Sequence, residues 1–226
     1  MTTKLAITPW DEHGITKKYV RASPYVASVE ADHRFRSILD YIDNAVRQLR
    51  LHSGPRGIHF GEWSGTQNVK SNLKANHAML LDYDIRQFEE LRAACDRLNV
   101  GRFYMTTENK ARKQNTISLV IPFSAPVDAA TYERVTSCIV KELDVYGLVV
   151  GVLSSTFVTN IHATTLTVHE RGPLFDAEAF KVRTAHLYRR QDASKYYQQT
   201  RPVSLKPVIE REKPLRTSHD GLFEGL

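Results

Sequence analysis

Residues 78–84, Ala-Met-Leu-Leu-Asp-Tyr-Asp, constrain this chain more than any other stretch. Four apolar residues run directly into two aspartates placed two positions apart. An apolar run of this length, bounded by polar residues, reads as a buried strand. Side chains alternate faces along a strand, so Asp82 and Asp84 leave it on the same face. Two carboxylates side by side repel each other unless a cation or hydrogen-bond donors stand between them. Mg²⁺ or Mn²⁺ suits such a pair, because Mg²⁺ takes one or two carboxylates plus substrate phosphate oxygens. A strand end spilling two aspartates into a solvated turn is the plainer alternative.

The pattern that follows places this strand in a fold. Phe88, Leu91, Cys95 and Leu98 recur at helical spacing, which predicts a helix over about 86–99, and Gly101 sits where a helix-terminating glycine belongs. Arg102 to Thr107 reads as a strand, 108–115 as a polar, basic loop, and Thr116 to Phe123 as a second strand, with Pro122 near its end. Asp128 is a good helix N-cap, and Tyr132, Val135, Ile139 and Leu143 carry that helix toward Gly147. Leu148 to Val152 reads as a last β-branched strand. The order is β-α-β-β-α-β, an α+β, ferredoxin-like (RRM-like) arrangement with its first and third strands adjacent. Before it, Phe35, Ile38, Leu39, Ile42, Val46 and Leu49 form an apolar stripe over about 32–51, a helix packed on the core. Residues 1–31 read as strands and turns, 52–65 as turn-rich, and 164–168 as one more strand. The expected organisation is an N-terminal strand and helix appendage (1–57), a core (58–180) and a basic, weakly ordered C-terminal arm (181–226).

An hDhD strand end, a helix, a strand ending in Thr-Thr, a polar loop and a strand ending in Ile-Pro together resemble the archaeo-eukaryotic primase-polymerase superfamily, in its small phage and plasmid form. The resemblance covers about residues 58–165 and includes Gly61-Glu62-Trp63, similar to a Gly-x-Trp stretch ahead of the catalytic core. It implies that Asp82 and Asp84 are catalytic metal ligands. It implies nucleotide contacts from Thr107, Asn109, Lys110, Arg112 and Lys113. Three departures stand out. The second motif reads Thr106-Thr107-Glu108-Asn109 and lacks the family's histidine. The following strand begins Thr116-Ile117-Ser118, where the family has an arginine. No acidic residue lies between Val149 and Phe157 as a third ligand; Asp144 is early and Glu108 is in another loop.

Composition supports an anionic partner. The chain has 226 residues, a net charge of +6 and 42% hydrophobic residues, enough for a real core. From Lys181 to Asp220 there are ten Lys/Arg against four Asp/Glu. Arg189, Arg190 and Arg201 interleave there with Tyr196 and Tyr197, a mix suited to single-stranded DNA or RNA, where rings stack on bases and cations meet phosphates. A solvated tail is the plainer alternative. The tip, Asp220 to Leu226, could dock a replication protein. No apolar run approaches a membrane span and no signal peptide is visible, so a cytoplasmic protein is expected, in a bacterial host cell if phage- or plasmid-encoded. Cys95 and Cys138 lie on apolar helix faces and read as buried thiols. His77, His162 and His169 read as ordinary histidines, and Trp63 as packed, with a base-stacking role the alternative.

Two functions from different classes follow. One is metal-dependent nucleotidyl transfer on a DNA or RNA template, using nucleoside triphosphates and Mg²⁺ or Mn²⁺. The other is the same fold with incomplete chemistry, a nucleic-acid-binding or partner-recruiting replication accessory protein. A third, an RNA-binding sheet, would need exposed aromatics on its central strands, with Tyr83 and Tyr104 as candidates.

Overall fold

The computed structural model describes residues 4–10, 25–28, 38–50, 56–64, 69–109, 114–149, 151–161, 165–187 and 196–197. In chain order the regular elements are β1 (Lys4–Trp10), β2 (Tyr25–Ser28), α1 (Ile38–Arg50), β3 (Arg56–His59), β4 (Gly61–Trp63), β5 (Leu73–Asp84), α2 (Phe88–Asp96), β6 (Arg102–Asn109), β7 (Gln114–Val127), α3 (Ala129–Leu143), β8 (Thr159–Ile161), β9 (Thr167–Glu170) and α4 (Ala177–Arg183). Two sheets form, in the orders β2-β1-β3-β8 and β4-β5-β7-β6-β9, and every strand pair in them is antiparallel. The chain is thus a mixed α/β structure with antiparallel sheets and several helices.

The apolar run ending in the two aspartates is buried on both faces because it lies between two cores. Met79, Leu81 and Tyr83 face α2 and α3 in the larger core. Ala78 and Leu80 face the other way, onto Ile38, Leu39, Ile42 and Val46 of α1 and onto Ile58 and Ile161 of the smaller sheet. Burying each α1 side chain contributes roughly 1.5–3 kcal/mol, so its stripe is the adhesive that holds this helix in place. From Ala78 to Asp84 the β5–β7 register runs without irregularity, pairing Asp82 with Ser118 and Asp84 with Thr116. Both aspartates therefore continue the face that carries Ala78 and Leu80.

Several expectations need correction. The segment 148–152 is not a strand: Leu148 makes a single antiparallel bridge to Tyr83, and Gly151, at φ 88°, turns the chain away. The turn-rich 52–65 region contains β3 and β4, which a glycine-rich sequence disguised. Gly101 does not cap α2; Asn99 takes the left-handed conformation (φ 49°), while Gly101 lies so close to Gly172 that a Cβ there would meet the Gly172 carbonyl oxygen at 2.8 Å. Asp128 does cap α3, accepting from the Thr131 amide at 2.6 Å, but the helix stops at Leu143 with Asp144 left-handed, short of Gly147. Pro122 is tolerated within β7 because the β6 ladder ends at Val120; beyond it the Pro122 carbonyl accepts from the Phe175 amide at 3.0 Å. Tyr83 and Tyr104 are buried, which removes them as an RNA-stacking surface. The boundary expected at 181 falls inside α4. Beyond it Tyr196 is 1% exposed in the larger core, and its carbonyl accepts from the Leu148 amide at 3.0 Å.

Candidate functional site

Asp82 is 3% exposed, and its partners are hydroxyls. Ser118, directly across on β7, donates to Oδ1, and Thr159 of β8 in the other sheet donates to Oδ2 at 2.7 Å. With both of these protons given to Asp82, Ser118 and Thr159 are neighbours 3.1 Å apart, Ser118 accepts from Thr107 (2.9 Å), and Thr107 accepts from Thr116 (2.7 Å). A continuous row of hydroxyls thus runs from Thr116 through Thr107 and Ser118 to Asp82 and Thr159. All four hydroxyl residues are buried. Each hydroxyl both donates and accepts, so the row can satisfy a charged or a neutral carboxyl. Burial pushes the Asp82 carboxyl up to about 6, against the opposing effect of its two hydroxyl donors; a carboxylate lifted out of water resists ionisation.

Asp84 is neutralised differently. It opens the short 3₁₀ turn Ile85–Gln87, and its Oδ1 accepts from the Arg86 amide at 3.0 Å and from Arg86 Nε at 2.9 Å, while Arg86 Nη2 donates to Oδ2. This is a two-pronged guanidinium–carboxylate pair, the strong form of such contacts. The Asp84 side chain is 2% exposed and that of Arg86 54%. On another flank the Asp84 amide donates to the Gly147 carbonyl at 2.8 Å, and the Val149 amide donates to Asp82 O at 2.8 Å. These two bonds hold the 147–149 segment against the end of β5.

The metal implied by the hDhD resemblance can be tested against this donor set. A divalent ion needs carboxylate lone pairs facing a space open to substrate. Both Asp82 oxygens accept from hydroxyls, and both Asp84 oxygens accept from a cation. Among the described residues no three of His, Cys, Asp and Glu converge as a metal site would require. Asp144, weighed as a third acid, is an exposed helix terminus. The residues as arranged do not fit the ion.

Thr107 joins Asp82 through the hydroxyl row. Asn109 pairs with Gln114 through the backbone, but its side chain lies outside the described residues. Lys110, Arg112 and Lys113 lie outside them too, as do Arg189, Arg190 and Arg201. Tyr196 is buried, so its ring is not available to a base; Tyr197 is partly buried beside it. The residues that the sequence reading missed are Ser118, Thr159, Arg86 and His59. Ser118 was within reach of it, being on the alternating face of a strand expected beside β5. Thr159 is brought in only by tertiary packing.

A second buried polar cluster lies toward the other end of β5. Trp63 Nε1 donates to His59 Nδ1 at 3.2 Å, and His59 Nε2 meets the Ser155 carbonyl at 2.9 Å. Indole N–H only donates and a carbonyl only accepts, so His59 is the neutral Nε2–H tautomer. Burial pushes its imidazole down to about 4. Trp63 is accordingly packed on His59, ring centroids 4.9 Å apart, as its plainer reading expects. Gly61 lies beneath this ring, where a Cβ would meet His59 Cε1 at 2.5 Å. His77 lies 3.2 Å from Glu62, and His169 lies 3.7 Å from Asp40.

No protein-family model matches the chain, and no curated protein matches it. Among solved structures it is similar to the AEP domain of the cyanophage S-2L primase-polymerase (PrimPol), at 12% identity and a TM-score of 0.43, over 79% of this chain and 87% of that one. A likeness of this degree says nothing about which side chains form a site.

Proposed function

We propose that this chain is a nucleic-acid-binding replication accessory protein, built on a ferredoxin-like core of primase-polymerase type whose paired aspartates are engaged by neighbouring side chains instead of a catalytic metal. The observation that carries this reading is that every carboxylate oxygen of the pair already has a protein donor. Asp82 is closed in by Ser118 and Thr159, and Asp84 by Arg86, with the surrounding hydroxyls buried. The pairing of β5 with β7 and of β7 with β6 supports the ferredoxin-like element of the reading. The net charge of +6 supports an anionic partner. Lys110, Arg112 and Lys113, together with Arg189, Arg190 and Arg201, are the proposed binding residues, and the residues beyond 197 are proposed also for a replication partner. Among the described residues no helix is long and apolar enough to cross a membrane.

The second reading, metal-dependent nucleotidyl transfer with Mg²⁺ or Mn²⁺, keeps one observation in its favour: Arg86 is half-exposed, so its pair with Asp84 can be exchanged for another. Two assays on the full chain separate the readings. Fluorescence anisotropy with a labelled single-stranded oligonucleotide should show binding that weakens with salt, at a log–log slope of about −0.7 per phosphate neutralised. Primer extension with Mn²⁺ and nucleoside triphosphates should yield no product. Extension that Asp82→Asn abolishes would establish the enzyme; absence of oligonucleotide binding at low salt would remove nucleic acid as the partner.

A further inference from the structure

The disagreement between the hDhD pattern and the ion it implies has a local cause two residues downstream. Asp84 is almost fully buried, yet its carboxylate is ion-paired to a side chain that is half in solvent. Arg86 reaches back across the 3₁₀ turn and uses three donors, its amide, Nε and Nη2, on the two carboxylate oxygens. The Gly147 side is closed: the backbone comes so near that a Cβ on Gly147 would lie 3.2 Å from Asp84 Cβ and 3.0 Å from Gln87 Cγ. The Arg86 head group therefore stands on the solvent side of the carboxylate, where an approaching ion would arrive. A second cation within a few ångströms of a guanidinium is repelled, and the repulsion grows as water is excluded. Arginine suits this position because its fork matches a carboxylate and it never loses its proton.

We propose that Arg86 is the resident cation of the aspartate pair, neutralising Asp84 from within the chain and excluding divalent metal from it. The proposal rests on the non-catalytic reading above, and it adds the residue responsible and what its loss would produce. Removing the guanidinium leaves a buried carboxylate without its counter-charge, a situation a divalent ion relieves. Asp84 is then a latent cation site, closed by one side chain.

The test is a Mn²⁺ titration of the full chain, followed by water-proton relaxation, on wild type, Asp84→Asn, Arg86→Gln and the Arg86→Gln/Asp84→Asn double variant. Wild type is expected to behave as Asp84→Asn does, with no saturable site attributable to the pair. Arg86→Gln is expected to bind one ion at least about tenfold more tightly than wild type, and the double variant to lose it. Thermal melts should show Mn²⁺ raising the midpoint of Arg86→Gln alone. A saturable site in wild type that Asp84→Asn removes would overturn the proposal even if Arg86→Gln fails to fold. A folded Arg86→Gln with wild-type Mn²⁺ affinity would overturn it as well. Oligonucleotide anisotropy on the same proteins keeps the two readings apart: loss of nucleic-acid binding with the Mn²⁺ pattern intact refutes only the function proposed above.

Discussion

Asp82 and His59 are buried groups whose titrations pull stability in opposite directions, and the pull can be worked out from the structure. The Asp82 carboxyl rises from 3.8 to about 6 on burial. A carboxyl raised in the folded state contributes stability that is complete below its unfolded value and is lost as pH rises through the folded one, about 3 kcal/mol in all. The His59 imidazole falls from 6.5 to about 4. A depressed imidazole contributes stability that is complete above its unfolded value and is lost as pH falls toward the folded one, again about 3 kcal/mol. Between about pH 4 and 6 the two slopes nearly cancel, so wild type hides both.

Single substitutions should uncover them. Asparagine at position 82 offers one acceptor and one donor to a hydroxyl row that can reverse its direction, so Asp82→Asn resembles the protonated acid. Glutamine at position 59 can likewise accept from Trp63 and donate to the Ser155 carbonyl. In urea unfolding at fixed temperature from about pH 8 to about pH 4.5, Asp82→Asn should lose about 3 kcal/mol and His59→Gln should gain about 2 kcal/mol. Wild type, carrying both groups, should change by less than about 1 kcal/mol from these two sources. Near pH 8, Asp82→Asn should be the more stable protein by up to about 3 kcal/mol. Profiles of Asp82→Asn and wild type that run parallel would refute the reasoning, as would an Asp82→Asn protein less stable than wild type near pH 8.

Other expectations follow from single contacts. Ser118→Ala strips a donor from Asp82 and a partner from both Thr107 and Thr159, and should cost about 1–3 kcal/mol in the same unfolding assay. Gly147→Ala puts a Cβ at positive φ against Asp84 and Gln87; it should cost about 1–2 kcal/mol or more, read as a lower thermal midpoint. Tyr196→Ala should cost about 3–5 kcal/mol as a core aromatic. A chain ended at Phe180 should therefore unfold early, while one ended after Tyr197 keeps that core aromatic and is the fair control for oligonucleotide binding.

Where the chain repeats a period over many residues, the sequence reading and the structure agree. The stripe of α1, the Asp128-capped stripe of α3 and the alternation of β7 are all of this kind, since burying one face leaves few choices of residue. Short elements with glycine or with both faces covered are illegible: β4 is three residues with Gly61 forced by a histidine ring, and β8 shows nothing but Thr-Asn-Ile. The 148–152 stretch has strand composition, yet its described residues make only isolated bridges, from Leu148 to Tyr83 and to Tyr197, before Gly151 turns the chain. The shared face of Asp82 and Asp84 was legible from strand alternation alone. Their saturation was not, because Arg86 answers Asp84 by a turn and Thr159 answers Asp82 across two sheets.

The chemistry of Asp82 follows from the neighbours that β6 and β7 bring to it. Ser118 donates to Asp82 directly, and Thr107 supports it one hydroxyl further on. Cationic neighbours would hold Asp82 ionised, as an ion-binding carboxylate must be; hydroxyls serve the neutral acid equally well and leave burial to dominate. A buried carboxylate without such neighbours is costly, and one that can take a proton is far less so. A row of hydroxyls and a second sheet closed over Asp82 support each other, since each removes the penalty the other would incur. Introducing one cation tests the coupling. Ser118→Arg in the full chain should lower the Asp82 pKa and so flatten the acid-side stability difference between Ser118→Arg and the Ser118→Arg/Asp82→Asn double variant. An undiminished difference would show that burial alone, and not the hydroxyl row, sets how this carboxyl titrates.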